Sequence, residues 1–340
     1  MLAIVKERKG PDYAVKEVDM PSISEDQVLI KVKVVGICGT DVPILDGERQ
    51  VPYPLIPGHE FSGEIVEIGS NVEGFNIGDR VTPAIVIGCG HCYFCRQGLE
   101  TLCDNILETG IHIDGAFAEY VAVHKKVVQK MPDEVTFEQA ASIDPLASAY
   151  RPIKKANIGS EDTVLIFGPG PIGLYTVQLA KTEGAKKIIV VGMDIDKERL
   201  ELAKELGADH TFVTGQDGNL YKYIEDLTDG RLADIVVEAT GAPSVFDEAI
   251  KLVRKHGQII LVGIPHKPAE VNMNQIVRKE IIVKGSLCYT WDEYKECLDL
   301  VSSGRVKIEP LISHKFDLKD IDKAMELIHQ RKSIKVLLYP

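Results

Sequence analysis

The stretch DTVLIFGPGPIGLYTVQLAKTEGAKKIIVVGMDIDKERLELAKELGAD, residues 162–209, decides the fold of this chain. Its apolar run Val164 to Phe167 reads as a buried strand. Gly168, Gly170 and Gly173 then form a G-x-G-x-x-G turn. Ile172, Tyr175, Leu179 and Ala180 follow at helical spacing, and a second apolar run ends at Asp194. Strand, glycine turn, helix, strand and helix in that order make a βαβ unit. A bare-backbone turn at a helix N-terminus suits a pyrophosphate, and an acid at the end of the next strand suits a ribose 2′-hydroxyl. Gly168, Gly170, Pro171, Ile172 and Gly173 are therefore candidate cofactor contacts, with Asp194 and, one turn further, Arg199. A carboxylate at 194 repels a 2′-phosphate, which favours NAD over NADP; a helix N-cap before KERL is the other reading of Asp194. Downstream, DIVVEATG and GQIILVGIP read as further buried parallel strands ending in polar or glycine turns, and they add Thr240, Val262 and Ile264 as candidates.

Upstream lies a different chemistry. GCGHCYFCRQGLETLCDN, from Gly88, holds Cys89, Cys92, Cys95 and Cys103, four of seven cysteines in the chain. The spacing C-x2-C-x2-C-x7-C suits four thiolates around tetrahedral Zn2+. Such a site is closed, so it staples a loop and does no catalysis. A nucleic-acid-binding zinc ribbon fits poorly with a net charge of -12 and no interleaved basic and aromatic residues.

A second group of donors precedes it. QVLIKVKVV places Val28, Ile30, Val32 and Val34 on one face of a strand, and Cys38 follows in GICGTD. His59 and Glu60 stand in IPGHEFSGEIVEIG. Taken singly, Cys38 suits a core position and His59 a hydrogen-bonded structural role. Their place beside glycines at strand ends suits a site. His59 and Glu60 share a metal only if the backbone bends at Pro57-Gly58; otherwise Glu60 supports the ligands from outside.

The chain has 340 residues, 45% hydrophobic and 26% charged, an ordinary globular composition long enough for two domains. MLAIVKERKG lacks the apolar core of a signal peptide, and no apolar run approaches the roughly 18–20 residues that span a bilayer. A cytoplasmic protein with reduced thiols is expected, with neither nucleic acid nor membrane as partner.

Together, GICGTD, PGHEFSG, the four-cysteine lobe, DGAFAEY, GPGPIG and MDIDKERLELAKELGAD resemble the zinc-dependent medium-chain alcohol and polyol dehydrogenases across essentially the whole chain. The resemblance implies an α/β chain in which a Rossmann domain, a doubly wound parallel sheet, is inserted into a GroES-like β catalytic domain. The catalytic segments fall at 1–150 and 286–340, with a zinc lobe at about 88–104, and the NAD-binding domain at 151–285. An active site in the cleft between the domains is implied too. Cys38 and His59 become catalytic zinc ligands. Glu60 becomes a ligand or near-ligand, and Asp144, in SIDPLASAY, takes the place of the third protein ligand. Which of Glu60 and Asp144 touches zinc stays open. The implied reaction oxidises a secondary alcohol to a ketone: zinc activates the substrate hydroxyl, Thr40 takes its proton, and the substrate carbon passes hydride to nicotinamide. Two zinc ions, NAD, and a homodimer or homotetramer are implied as well.

Two departures bear on this. Many relatives carry histidine five residues after the ligand cysteine to pass the proton on, and here that position is Pro43. In KGSLCYTWDEY the threonine dehydrogenase motif is absent, and Cys288 stands where sorbitol dehydrogenases have arginine, next to Tyr289. The expected substrate is a polyol, sugar alcohol or diol. A 2,3-butanediol/acetoin or threonine-type enzyme is the alternative within the class, and an inactive member acting as a binding protein is the alternative outside it.

Overall fold

The computed structural model describes all 340 residues. The chain divides into two compact units. One comprises Met1–Pro145, Thr290–Gly304 and Ile308–Pro340; the other comprises Leu146–Tyr289 with Arg305–Lys307. The first boundary falls inside the helix Ile143–Ala156.

The second unit is built on a six-stranded parallel sheet. In spatial order its strands are His210–Val213, Lys187–Gly192, Thr163–Phe167, Ala233–Glu238, Val253–Leu261 and Ile282–Gly285. Counted along the chain this is the order 3-2-1-4-5-6 of the Rossmann fold. Every residue of Thr163–Phe167 and of Ala233–Glu238 is buried, which is why Val164–Phe167 and Ile235–Val237 read as apolar runs with no alternation. The helix Pro171–Thr182 begins with proline, whose fixed φ suits the first turn, and Gly170 occupies the N-cap. Leu165, Phe167, Ile189, Val191, Phe212 and Ile224 belong to one continuous apolar core. At the N-terminal start of its strand Asp234 is buried, accepting from the Thr163 amide at 2.8 Å and pairing with Arg231 at 2.8 Å and Arg254 at 2.5 Å.

The first unit carries a seven-stranded sheet in the order Ile312–Asp317, Lys335–Tyr339, Gln27–Gly36, Glu60–Ile68, Arg80–Pro83 and Val128–Lys130, with Tyr120–His124 also paired to Gln27–Gly36. The pairings are antiparallel except that between Ile312–Asp317 and Lys335–Tyr339. Val28, Ile30, Val32 and Val34 are buried as the alternation requires. Leu29 and Val35 are buried too, so the opposite face is covered as well over much of the strand. Two registers matter for the site: Gly36 lies opposite Glu60 on one side and opposite Leu337 on the other. The short antiparallel pair Val86–Ile87 and Leu107–Glu108 closes the neck of a lobe that contains the four cysteines. No helix is long and apolar enough to cross a membrane.

Candidate active site

Cys38 follows the strand Gln27–Gly36, and His59 directly precedes the strand Glu60–Ile68, so sheet pairing brings the two together. Gly58 has φ +90°, a left-handed conformation in which glycine avoids the Cβ penalty. The bend there lets His59 and Glu60 face the same point, although neighbours on a regular strand face apart. Donor atoms of Cys38, His59 and Glu60 all lie within 4.8 Å of one another. His59 and Glu60 are buried, and Cys38 is half-buried. Asp144 is not part of this group; it is buried near the start of the helix Ile143–Ala156. Its charge reaches Tyr294, where burial first and Asp144 among the lesser causes raise the phenol pKa.

Two residues that sequence reading passed over complete the surroundings. Asp41, fully buried, accepts the Cys38 amide at 2.9 Å and sets Oδ1 3.4 Å from His59 Nδ1. Lys335, also buried, pairs with Glu60 Oε2 and donates to Ile37 O at 3.1 Å. A side chain at Gly36 would place its Cβ 2.8 Å from Glu60 Oε2 and from Lys335 Cε, so the ion pair would have to shift to admit one. An acid three residues past Cys38 and a lone lysine in the apolar run SIKVLLYP were the available signals.

The electrostatics describe a site made for a cation. Burial works against the Cys38 thiolate, but the charge and hydrogen bond of His59 outweigh it and lower the thiol pKa. Burial likewise works against charged His59, yet Asp41 and Cys38 raise its pKa well above the ordinary value. Burial pulls Lys335 down to about 8 while Cys38 and Asp41 act the other way. A proton is thus drawn onto His59 to offset buried anions. Three converging donors of types S, N and O fit Zn2+, which would take the place of that proton.

Cys89, Cys92, Cys95 and Cys103 form a second group with sulfur atoms within 4.8 Å of one another. Amides of Cys89 and Asn105 each point at Cys103 Sγ at 3.3 Å, and the Cys92 amide at Cys89 Sγ at 3.4 Å. Such N–H···S contacts stabilise thiolates. The Cys95 amide and other hydrogen bonds hold Cys92 down at about 6, while burial pushes Cys95 up to about 12. Four sulfurs with this donor support fit a closed tetrahedral zinc site.

Thr40 occupies the N-cap of the short helix Asp41–Leu45, but its hydroxyl makes no capping hydrogen bond. Pro43 lies within that helix.

In the second unit Gly168 has φ +95°, and a Cβ there would meet Thr240 Cγ2 at 2.7 Å; one on Gly173 would meet Gly168 O at 1.9 Å. The turn is therefore closed to side chains where it folds on itself. Thr240 is held by Glu238, whose buried carboxylate accepts the Thr240 amide at 2.7 Å, the Gly241 amide at 3.0 Å and the Thr240 hydroxyl. The Val262 amide donates to Glu238 O at 2.9 Å, and Ile264 is exposed. Glu238 was missed in the sequence because it ends an apolar strand. Asp194 sits exposed just past the strand Lys187–Gly192, bonded to Lys197 at 2.6 Å and to Gln216 at 2.5 Å. The side chain that caps the next turn is Asp196, which accepts the Met193 amide at 3.0 Å and pairs with Arg199 at 3.1 Å.

Residues 24–133 match the model of the alcohol dehydrogenase GroES-like domain, and residues 171–303 match that of the zinc-binding dehydrogenase. A sorbitol dehydrogenase of Halalkalibacterium halodurans is 39% identical over 100% of this chain and 99% of its own. A D-arabitol-phosphate dehydrogenase of Enterococcus avium is 35% identical over 99% of this chain and 97% of its own. The solved structure of an alcohol dehydrogenase from Escherichia coli CFT073, complexed with NADH, superposes with a TM-score of 0.93 at 34% identity, covering 100% of this chain and 99% of that one. Two domain models in the order the fold requires, and relatives alike from end to end, place the chain in the zinc-dependent medium-chain dehydrogenase family, and it is an oxidoreductase of that family.

Proposed function

We propose that this enzyme oxidises a secondary alcohol of a polyol, sugar alcohol or diol to a ketone, using zinc and NAD. The observation that carries the reading is the buried convergence of Cys38, His59 and Glu60 on one point. In this reading those three hold the catalytic zinc, with Asp144 as an outer acid of the set. Cys89, Cys92, Cys95 and Cys103 hold a structural zinc. When bound, zinc supplies a Lewis acid for the substrate hydroxyl, and NAD supplies the hydride acceptor. The chain does the rest. Asp41 orients His59, as a carboxylate behind a ligand imidazole does. The turn Gly168-Gly170-Pro171-Ile172-Gly173 seats the pyrophosphate on a helix N-terminus, and Thr240, Val262 and Ile264 border the cofactor at the neighbouring strand ends. Asp194 accepts from the ribose and disfavours a 2′-phosphate, with Arg199 one turn along. Thr40, its hydroxyl free of capping, takes the substrate proton. Pro43 cannot relay it, so the path onward runs through water or another residue.

Residues 1–150 and 286–340 form the catalytic domain in this reading, and 151–285 the NAD-binding domain; the two compact units support the division to within a few residues. A cytoplasmic homodimer or homotetramer belongs to the same proposal. Ile282–Gly285 is the outer strand of its sheet, with Ile282 and Val283 exposed for a second copy. The relatives named for sorbitol and arabitol phosphate support a polyol chain, whereas Cys288 in place of arginine counts against sorbitol itself.

The test is NADH formation across diols, pentitols, hexitols, inositols, sugar-alcohol phosphates and threonine. Turnover confined to polyols or diols is expected. Turnover with threonine alone would overturn the substrate class. No turnover by fully metallated protein would favour a binding role.

A further inference from the structure

Gly58, immediately before His59, is gripped by a distant part of the chain. Residues 109–117, which leave the neck of the cysteine lobe, lie against residues 56–58. Gly115 N donates to Ile56 O at 2.7 Å, Ala116 N to Gly58 O at 2.8 Å and Phe117 N to Pro57 O at 2.9 Å. Asp114 Oδ1 accepts the Ile56 amide at 2.9 Å. There is no room for a side chain in this contact. A Cβ on Gly115 would lie 2.1 Å from Gly58 O, one on Gly110 2.6 Å from the same atom, and one on Gly58 2.4 Å from the Phe117 ring. At its other end the strap is tied to the neck: Thr109 N donates to Ile85 O at 3.2 Å, and Glu108 pairs with Val86.

We infer that this strap positions the catalytic metal ligands: residues 109–117 set Gly58, and through it His59 and Glu60. The inference rests on the proposal that Cys38, His59 and Glu60 hold zinc. Magnitude decides why the contact matters. Widening a 2.1 Å separation to ordinary contact at 3.4 Å needs a shift on the order of 1 Å. Metal–ligand distances tolerate only about 0.2 Å. The strap cannot easily yield instead, because four hydrogen bonds and the lobe neck hold it. The glycines at 58, 110 and 115 are thus one interlock, although they come from two separate stretches of sequence.

Gly115→Ala is the informative variant, because Gly115 lacks the positive φ that would strain alanine by itself. Zinc affinity at the two sites is measured by chelator competition. The visible spectrum of the Co2+-substituted protein reports ligand geometry, and NADH binding reports the cofactor unit. The variant should keep the lobe ion and NADH affinity, lose tenfold or more in affinity for the second ion, and change the cobalt spectrum. Gly74→Ala, strained at φ +82° but with nothing within 4 Å, should leave both affinities unchanged. Wild-type affinity and an unaltered cobalt spectrum in Gly115→Ala overturn the inference. If that variant does not fold, Asp114→Ala is measured in the same way; it should lose several-fold, and wild-type affinity there overturns the inference equally. His59→Ala separates the two levels. If it retains both ions, the zinc assignment falls and the strap's role with it. If it loses one while Gly115→Ala binds normally, only the strap's role falls.

Discussion

In the proposed reaction Thr40 is where chain chemistry and substrate chemistry meet. It begins a helix without capping it, so its hydroxyl is left to accept one hydrogen bond while donating another. Thr40→Ser should keep most activity, and Thr40→Val should lose on the order of a hundredfold in kcat, the lower range for a positioned proton transfer. NAD binding, measured separately, should be unchanged in both. A valine variant that turns over like wild type means that another group takes the proton. Asp194 offers a second test. Asp194→Ala should raise the KM for NAD several-fold and narrow the preference over NADP, read as the ratio of kcat/KM values; a wild-type preference for NADP would sink the ribose role. The place of Asp194, just past the second parallel strand, was legible in the sequence because it is set within one chain segment. Those of Asp41 and Lys335 were not. Lys335 approaches Ile37 across 298 residues, and nothing local in SIKVLLYP says that its charge is buried against Glu60.

Among the elements, the four inner parallel strands were the most legible, because covered strands become largely apolar runs; the outer two, His210–Val213 and Ile282–Gly285, are less buried and carry no such signal. The choice between Glu60 and Asp144 was illegible, since it depends on a bend at Gly58 and on register in a sheet assembled from distant pieces. Asp234 shows what anchors such an element. It fastens the start of its own strand to Thr163 on the neighbouring strand and to two arginines. Burial opposes its charge, but the Thr163 amide and the arginines hold its pKa below the ordinary carboxylate value. A depressed folded pKa contributes stability that is complete above the unfolded value and disappears as pH falls through the folded one. Asp234→Asn should therefore cost about 2–3 kcal/mol at neutral pH, the scale of hydrogen bonds to a charged group. The gap should close as pH falls below about 4. Urea midpoints of both proteins across that range check it, and a gap that stays constant into acid refutes the linkage.

For the whole molecule the clearest expectation is two zinc ions per chain with different consequences. Cys103→Ser should lose one ion and lower the thermal midpoint by several degrees, because Cys103 is the ligand that would tie the far end of the lobe back to Cys89, Cys92 and Cys95. His59→Ala should lose the other and abolish turnover while NADH binding persists. Elemental analysis of fully active, undepleted enzyme that finds one ion per chain contradicts both. The route of the chain has a further consequence. Gln27–Gly36, the strand that leads to Cys38, pairs with the last strand in chain order, Lys335–Tyr339. During synthesis, at about 5–20 residues per second, Cys38, His59 and all four lobe cysteines emerge well before that strand does. The six strands of the parallel sheet, all between residues 163 and 285, also emerge before it. Meanwhile the nascent catalytic unit waits with its thiols made and its buried lysine still inside the ribosome. Metal that meets the chain before Lys335 has emerged finds Glu60 without its buried cationic partner.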